Sequence, residues 1–215
     1  MRDLEHSSYL ERPHHYAKMR HELDNMVFEY FGITHADRIL IEDATEFVIP
    51  SVQPSGYASI RTPFQALPGE KHLKAYCDTL SRELARWRDK LGGKGAFHIE
   101  AFAHRPGRVG RVGIARITVD ANGGETRSQP TVTLDDDAVK RLIDTLRANQ
   151  ILPLQAIGNI YVASDFLIEA GNAMYLVKPL VNRLWMRSQA LRDAFEVVNA
   201  VRYSTKSAED ALNGN

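Results

Sequence analysis

The chain has 215 residues with 27 Lys plus Arg against 27 Asp plus Glu, so its formal net charge is zero. That balance excludes a global bias toward nucleic acid, membranes or acidic ligands, and any basic face must be local. A single cysteine, Cys77, excludes a disulfide framework and fits a reducing compartment.

The N-terminal residues MRDLEHSSYLERPHH lack the apolar stretch of a secretion signal. No apolar run approaches the roughly 20 residues that cross a bilayer. A cytoplasmic location without membrane contact is expected.

In chain order, residues 1–16 read as a polar, histidine-rich flexible arm, and a helical region follows over 17–92. Leu23, Met26, Val27, Tyr30 and Phe31 recur at i, i+3, i+4, i+7 and i+8, the spacing of a buried helical face. Gly32 suits a left-handed cap. Thr34 is placed as the next N-cap, with Asp37 near the helix dipole. Leu40, Ala44, Phe47 and Val48 form that helix's inward stripe, and Pro50 stops it.

Residues 51–69 carry Pro54, Gly56, Pro63, Pro68 and Gly69, which predicts a long loop, functional or a crossover. A third helix places Leu73, Tyr76, Leu80, Leu84, Trp87 and Leu91 on one side, with Lys71, Lys74, Arg82, Arg86 and Lys90 on others. Cys77 falls among its apolar residues and reads as a buried structural thiol.

A mixed α+β region spans 93–203. Phe97, Ile99, Ala101 and Ala103 alternate with polar neighbours, which predicts a half-buried strand. Residues 105–111 form a turn, 112–119 a second strand, and Val132 and Leu134 a third. Asp135, Asp136 and Asp137 open a helix that faces inward through Val139, Leu142, Ile143 and Leu146. Short apolar segments at 160–162, 166–168 and 174–177 read as strands, the last two joined as a hairpin around Gly171. A final helix over about 188–202 buries Leu191, Phe195, Val198 and Val201, before a polar tail at 204–215. The expected fold is α+β, with a helical N-terminal part, central antiparallel strands, and a C-terminal hairpin and helix.

Catalytic signatures are missing. There is no phosphate-binding GxxxxGK[ST] loop, no GxGxxG at a strand–helix junction and no G-x-S-x-G elbow. Gly107, Gly110 and Gly113 flank arginines in a turn and read as structural. His14, His15, His21 and His35 form no metal-binding spacing. His72-Leu73-Lys74 superficially matches the HxK of phospholipase-like nucleases, but occurs once and within a helix. Glu42 and Asp43 read as carboxylates solvating a helix. No catalytic residue, metal site or cofactor is expected.

The arginines at 105, 108 and 111 cluster at a glycine-bearing turn. There guanidinium and backbone N–H groups can meet a phosphate together. Lys178, Arg183 and Arg187, with Trp185 among them, form a second candidate nucleic-acid patch. Tyr30, Phe31 and Phe47 are the candidate partner-binding residues.

The segment LDNMVFEYFGITHADRILIED, residues 23–43, resembles a helical pair beside the catalytic domain of bacterial adenine-N6 DNA methylases of restriction and phage-defence systems. Residues 175–201, YLVKPLVNRLWMRSQALRDAFEVVNAV, are similar to a tail from the same defence setting. Those methylases hold the flipped adenine with an Asn/Asp-Pro-Pro-aromatic motif, and this chain has no Pro-Pro pair. The resemblance therefore implies a non-catalytic accessory or DNA-contacting subunit of a defence complex. Methylase, helicase or nuclease activity would belong to a larger protein partner. A protein-interaction scaffold or oligomeric subunit without nucleic acid is the alternative. A small metal-dependent nuclease is a third reading, which would need acidic side chains to converge in space.

Overall fold

A computed structural model describes residues 12–52, 62–93, 95–103, 112–120, 130–148, 165–171 and 173–213. They belong to two compact units, Met1–Glu42 and Asp43–Asn215. The arm over 1–11, the arginine turn at 105–111, the segment at 160–162 and most of the long loop lie outside the described residues. The fold is α+β, as the periodicity implies.

In the first unit, helix α1 spans Arg12–Tyr30, so it begins inside the stretch expected to be a flexible arm. It ends where Gly32 adopts a φ of 62°. The Ile33 N–H donates to the Phe28 carbonyl at 2.9 Å, which closes the turn with a left-handed cap. Helix α2 spans His35–Asp43. Thr34 caps it as expected, accepting from the Asp37 N–H at 3.2 Å and donating to the Asp37 carboxylate at 2.6 Å.

The second unit opens with a π-helical turn, Ala44–Val48, and a short helix α3, Ile49–Val52. The buried stripe differs from the expected one, and the π turn bears on the difference only from Ala44 onward. Leu40 is exposed and Val48 is at the exposed margin, while Ile39, Asp43 and Phe47, spaced by four, are buried. A π-helix carries an extra residue in its turn, so a 3.6-residue pattern loses phase there.

Helix α4, Glu70–Lys90, buries Leu73, Tyr76, Cys77, Leu80 and Leu84, with Trp87 half-buried and Leu91 exposed. Strands β1, Ala96–Ala103, and β2, Val112–Asp120, form an antiparallel pair. Strand β3, Thr131–Leu134, pairs with β1 in parallel. This departs from an antiparallel reading, and the register explains it. Asp120 ends β2 opposite Ala96, the first residue of β1, so β3 enters on the far side of β1 from the same end. Helix α5 spans Asp136–Ala148. The hairpin β4, Phe166–Ala170, and β5, Ala173–Pro179, joins through β5 to β2, giving the sheet order β3-β1-β2-β5-β4. Helix α6 runs Arg187–Asn213, well past the expected end at Arg202.

The sheet has two apolar faces. Ile99, Ala101, Ala103, Ala115, Ile117 and Leu176 pack against α4 and α6. On the other face Val112, Ile114 and Val177 pack with Leu142 and Ile143 of α5. Helix α6 turns a different side to the core than its large apolar residues suggest. Ala190, Asp193, Ala194, Val197 and Val198 are buried, whereas Phe195 and Val201 are exposed and Leu191 is half-buried. Small side chains let α6 lie close to α4, and the close approach selects them over bulk.

Candidate functional site

Beneath the α4–α6 layer a charged network is sealed in the core. Residues alternate along β5, so Lys178 falls in phase with Met174 and Leu176 and points toward the helices. Its side chain is fully buried. The ammonium is ion-paired with Asp193 of α6 and donates to the Tyr76 hydroxyl at 2.9 Å and the Leu184 carbonyl at 3.1 Å. Tyr76 donates to the same Asp193 oxygen at 2.6 Å, and Gln189 donates to the other at 3.0 Å.

Two aromatic rings complete the enclosure. The ammonium lies 4.5 Å from the Tyr76 ring centre and 5.4 Å from that of Trp185, distances at which ring quadrupoles attract a cation. Trp185 is itself buried, and its indole N–H donates to the Pro179 carbonyl at 3.0 Å. Room for this ring comes from Gly113, the β2 partner of Lys178. A Cβ added at Gly113 would lie 2.4 Å from Trp185 Cζ2.

Burial pulls the Lys178 ammonium below its ordinary pKa, with the Asp193 charge opposing. Burial, reinforced by the negative Asp193, raises the Tyr76 hydroxyl well above 10.0. The neighbouring Cys77 thiol is pushed up to about 12, chiefly by burial and then by Asp78. It is a structural thiol at neutral pH.

Asp165, Asp193 and Glu196 bring ligand atoms within 4.8 Å of one another, the convergence a metal-dependent nuclease would need. Asp193, however, already receives Lys178, Tyr76 and Gln189. Asp165 accepts from Gln189 at 3.2 Å and Glu196 from Arg192 at 3.0 Å, so each of the three carboxylates already has a protein donor.

The candidate basic residues have separate fates. Arg105, Arg108 and Arg111 lie outside the described residues. Lys178, expected on an outward patch, is core. Arg187 binds the buried Asp43 through Nε at 3.2 Å and Nη2 at 3.1 Å, while Asp43 also accepts from the Ser188 N–H at 2.6 Å and so caps α6. Arg183 is exposed. The structure thus does not assemble Lys178, Arg183, Arg187 and Trp185 into an outward stacking patch. The signal for this was in the sequence: a lysine in phase with core residues of a strand, and an aspartate in phase with core residues of a helix.

Comparison of the chain with protein-family models, curated proteins and solved structures finds no match in any of the three.

A cleft of about 250 Å³ is lined by Asp43, Glu46, Phe47, Lys71, His72 and Arg187, among others. His72 stands edge-on to Phe47, 5.4 Å between ring centres, and its Nε2 lies 3.6 Å from Glu46. Phe47, expected at a partner surface, is buried in this packing. The cleft carries both cations and carboxylates, with no nucleophile beside the His72–Glu46 pair among the lining residues.

The other two partner-binding candidates are in the open. Tyr30 is 84% exposed and Phe31 69%. Leu23, Met26 and Val27, read as a buried face, are exposed as well. Their spacing places them along one side of α1. Along the helix Lys18 pairs with Glu22 and Arg20 with Asp24 at i, i+4, each 4.0 Å apart. Among the described residues, no helix is long and apolar enough to cross a membrane.

Proposed function

We propose that this chain is a non-catalytic accessory subunit of a bacterial restriction-like, anti-phage complex. It docks a larger methylase, helicase or nuclease through the apolar side of α1. One observation carries the reading: Leu23, Met26, Val27, Tyr30 and Phe31 recur at helical spacing yet stand exposed. A stripe of that size, on a unit whose described residues form two helices, is a protein-contact surface by its chemistry, because helices of this length draw most of their stability from burying such a face. The aromatic pair at its end, 5.1 Å between ring centres and nearly perpendicular, has the character of an interface anchor. The resemblance of residues 23–43 to a helical pair next to methylase domains points to the kind of partner.

The competing features are weaker. Of the six cations assigned to nucleic acid, Lys178 is sealed in the core and Arg187 is engaged by Asp43. Of the acidic cluster that a nuclease would use, Asp193 is paired with Lys178.

The test is co-purification from the native host with Tyr30→Ser/Phe31→Ser as the comparison. The native chain brings down a large enzyme subunit, and the variant loses it at least tenfold while its thermal melting stays unchanged. Undiminished capture by the variant, or a native chain recovered only as a dimer of itself through α1, would refute the reading.

A further inference from the structure

We propose that Trp87, Phe195 and the cationic row Arg82, Arg86 and Lys90 form a platform on which an unpaired strand of nucleic acid stacks its bases and rests its phosphates. The site lies on the outer surface of α4 and α6 and shares no residue with the α1 docking side.

Helix α4 spends Leu73, Tyr76, Leu80 and Leu84 on the core. Trp87 comes next in the stripe and is only half-buried. It lines a hollow of about 180 Å³ with Glu83, Arg86 and Lys90. Phe195 of α6 stands beside it, 6.5 Å between ring centres at a tilt of 52°, and is 53% exposed. Two adjoining rings with open surface suit flat, apolar bases, which need no sequence-specific contact to stack.

Arg86 and Lys90 line the hollow beside Trp87, and Arg82 lies one turn before Arg86, so these charges match the rest of a strand. Arg82, Arg86 and Lys90 follow one another at four-residue intervals, about 6 Å apart along the helix axis, a step comparable to that between phosphates of a stretched strand. Arg82 and Lys90 have no carboxylate partner among the described residues, and Arg86 reaches only Glu83, at 3.5 Å. The Lys90 ammonium lies 5.5 Å from the centre of the Trp87 ring. A base arriving on that ring takes the place of the ammonium, which is then released to a phosphate. A duplex keeps its bases stacked internally and offers these rings nothing, so the ligand is single-stranded.

The two tryptophans make the test direct. Trp185 is buried, so a fluorescence change on adding a strand reports Trp87. The full chain is titrated with an oligothymidylate of about 12 nucleotides, within the span typical of such platforms. Quenching is expected, with affinity falling roughly 100-fold per tenfold rise in salt, as three displaced counterions on a single strand require. Arg82→Glu/Arg86→Glu/Lys90→Glu weakens binding at least tenfold, followed by anisotropy of a labelled strand, and Phe195→Ala weakens it severalfold. Circular dichroism confirms that each variant is folded.

Four results would each overturn the proposal. They are no binding by either readout, binding that survives the triple charge reversal, equal affinity for a blunt duplex, and an equal response to polyglutamate. The last would assign the row to an acidic protein. Tyr30→Ser/Phe31→Ser binds the strand as the native chain does, so failure of the docking reading and failure of this one are told apart.

Discussion

Replacing Lys178 with methionine keeps the length of the side chain and removes its charge. The core then holds Asp193 with hydrogen bonds from Tyr76 at 2.6 Å and Gln189 at 3.0 Å, but no cation. The Leu184 carbonyl and the Tyr76 oxygen lose a charged donor at 3.1 and 2.9 Å. Hydrogen bonds to charged groups contribute about 1.5–3 kcal/mol each. Releasing the ammonium from its desolvation offsets part of that loss. Leaving one member of a buried ion pair without its partner costs about 3–5 kcal/mol in all. For a chain of this size that corresponds to a fall of roughly 10 °C in Tm. The double variant Lys178→Met/Asp193→Leu removes both charges and recovers about half of the loss or more, because apolar replacements of a buried pair are tolerated far better than a stranded charge. Urea unfolding followed by circular dichroism measures both. A single variant within about 1 kcal/mol of the native chain, or a double variant as unstable as the single, would refute the claim that this network is a buried, mutually dependent unit.

Gly113→Ala drives a Cβ to 2.4 Å from Trp185 Cζ2, and overpacking of this kind costs about 1–3 kcal/mol. A lower Tm with a changed near-ultraviolet circular dichroism band for tryptophan is the expected result, and an unchanged band would place the indole elsewhere. Cys77 ionises near 12 in the folded chain against an ordinary 9.0. Its folded-state pKa is raised, so its contribution is fully present below the ordinary value and is lost as pH climbs toward 12. Native protein should therefore fall in Tm more steeply than Cys77→Ala above about pH 9, with Lys178 and Tyr76 common to both. Its thiol should also react with a disulfide reagent only after unfolding.

Much of the fold was legible because its signals are local. The alternation of Phe97, Ile99, Ala101 and Ala103 and the stripe Leu73, Tyr76, Leu80, Leu84 each need only one element to be recognised, and the structure buries Ile99, Ala101, Ala103 and all four stripe residues. The α1 face was read in the right phase but the wrong environment, since periodicity shows which residues share a side and not what covers it. For α6 the expectation holds at Val198 and departs at Phe195 and Val201. Counting large apolar residues selected Phe195, whereas close packing selected Ala190 and Ala194. The charge of Lys178 suggests a surface position, whereas its register in β5 places it in the core. The partner that makes its burial tolerable, Asp193, sits on another element, and Tyr76 is 102 positions away. Pairings of that range are invisible to a pattern read along the chain.

The sheet order also bears on how the chain can be made. Strand β5 lies between β2 and β4 although it is the last to be synthesised. Until residues 173–179 emerge, β2 offers a row of free backbone donors and acceptors along one side. An open row of this kind invites pairing with a neighbouring nascent chain. Completion of the C-terminal third therefore does more than add a hairpin and a helix: it closes the central seam of the sheet. Closure of the sheet thereby waits on residues 173–179, which follow the strands β1, β2 and β3 by some forty positions or more.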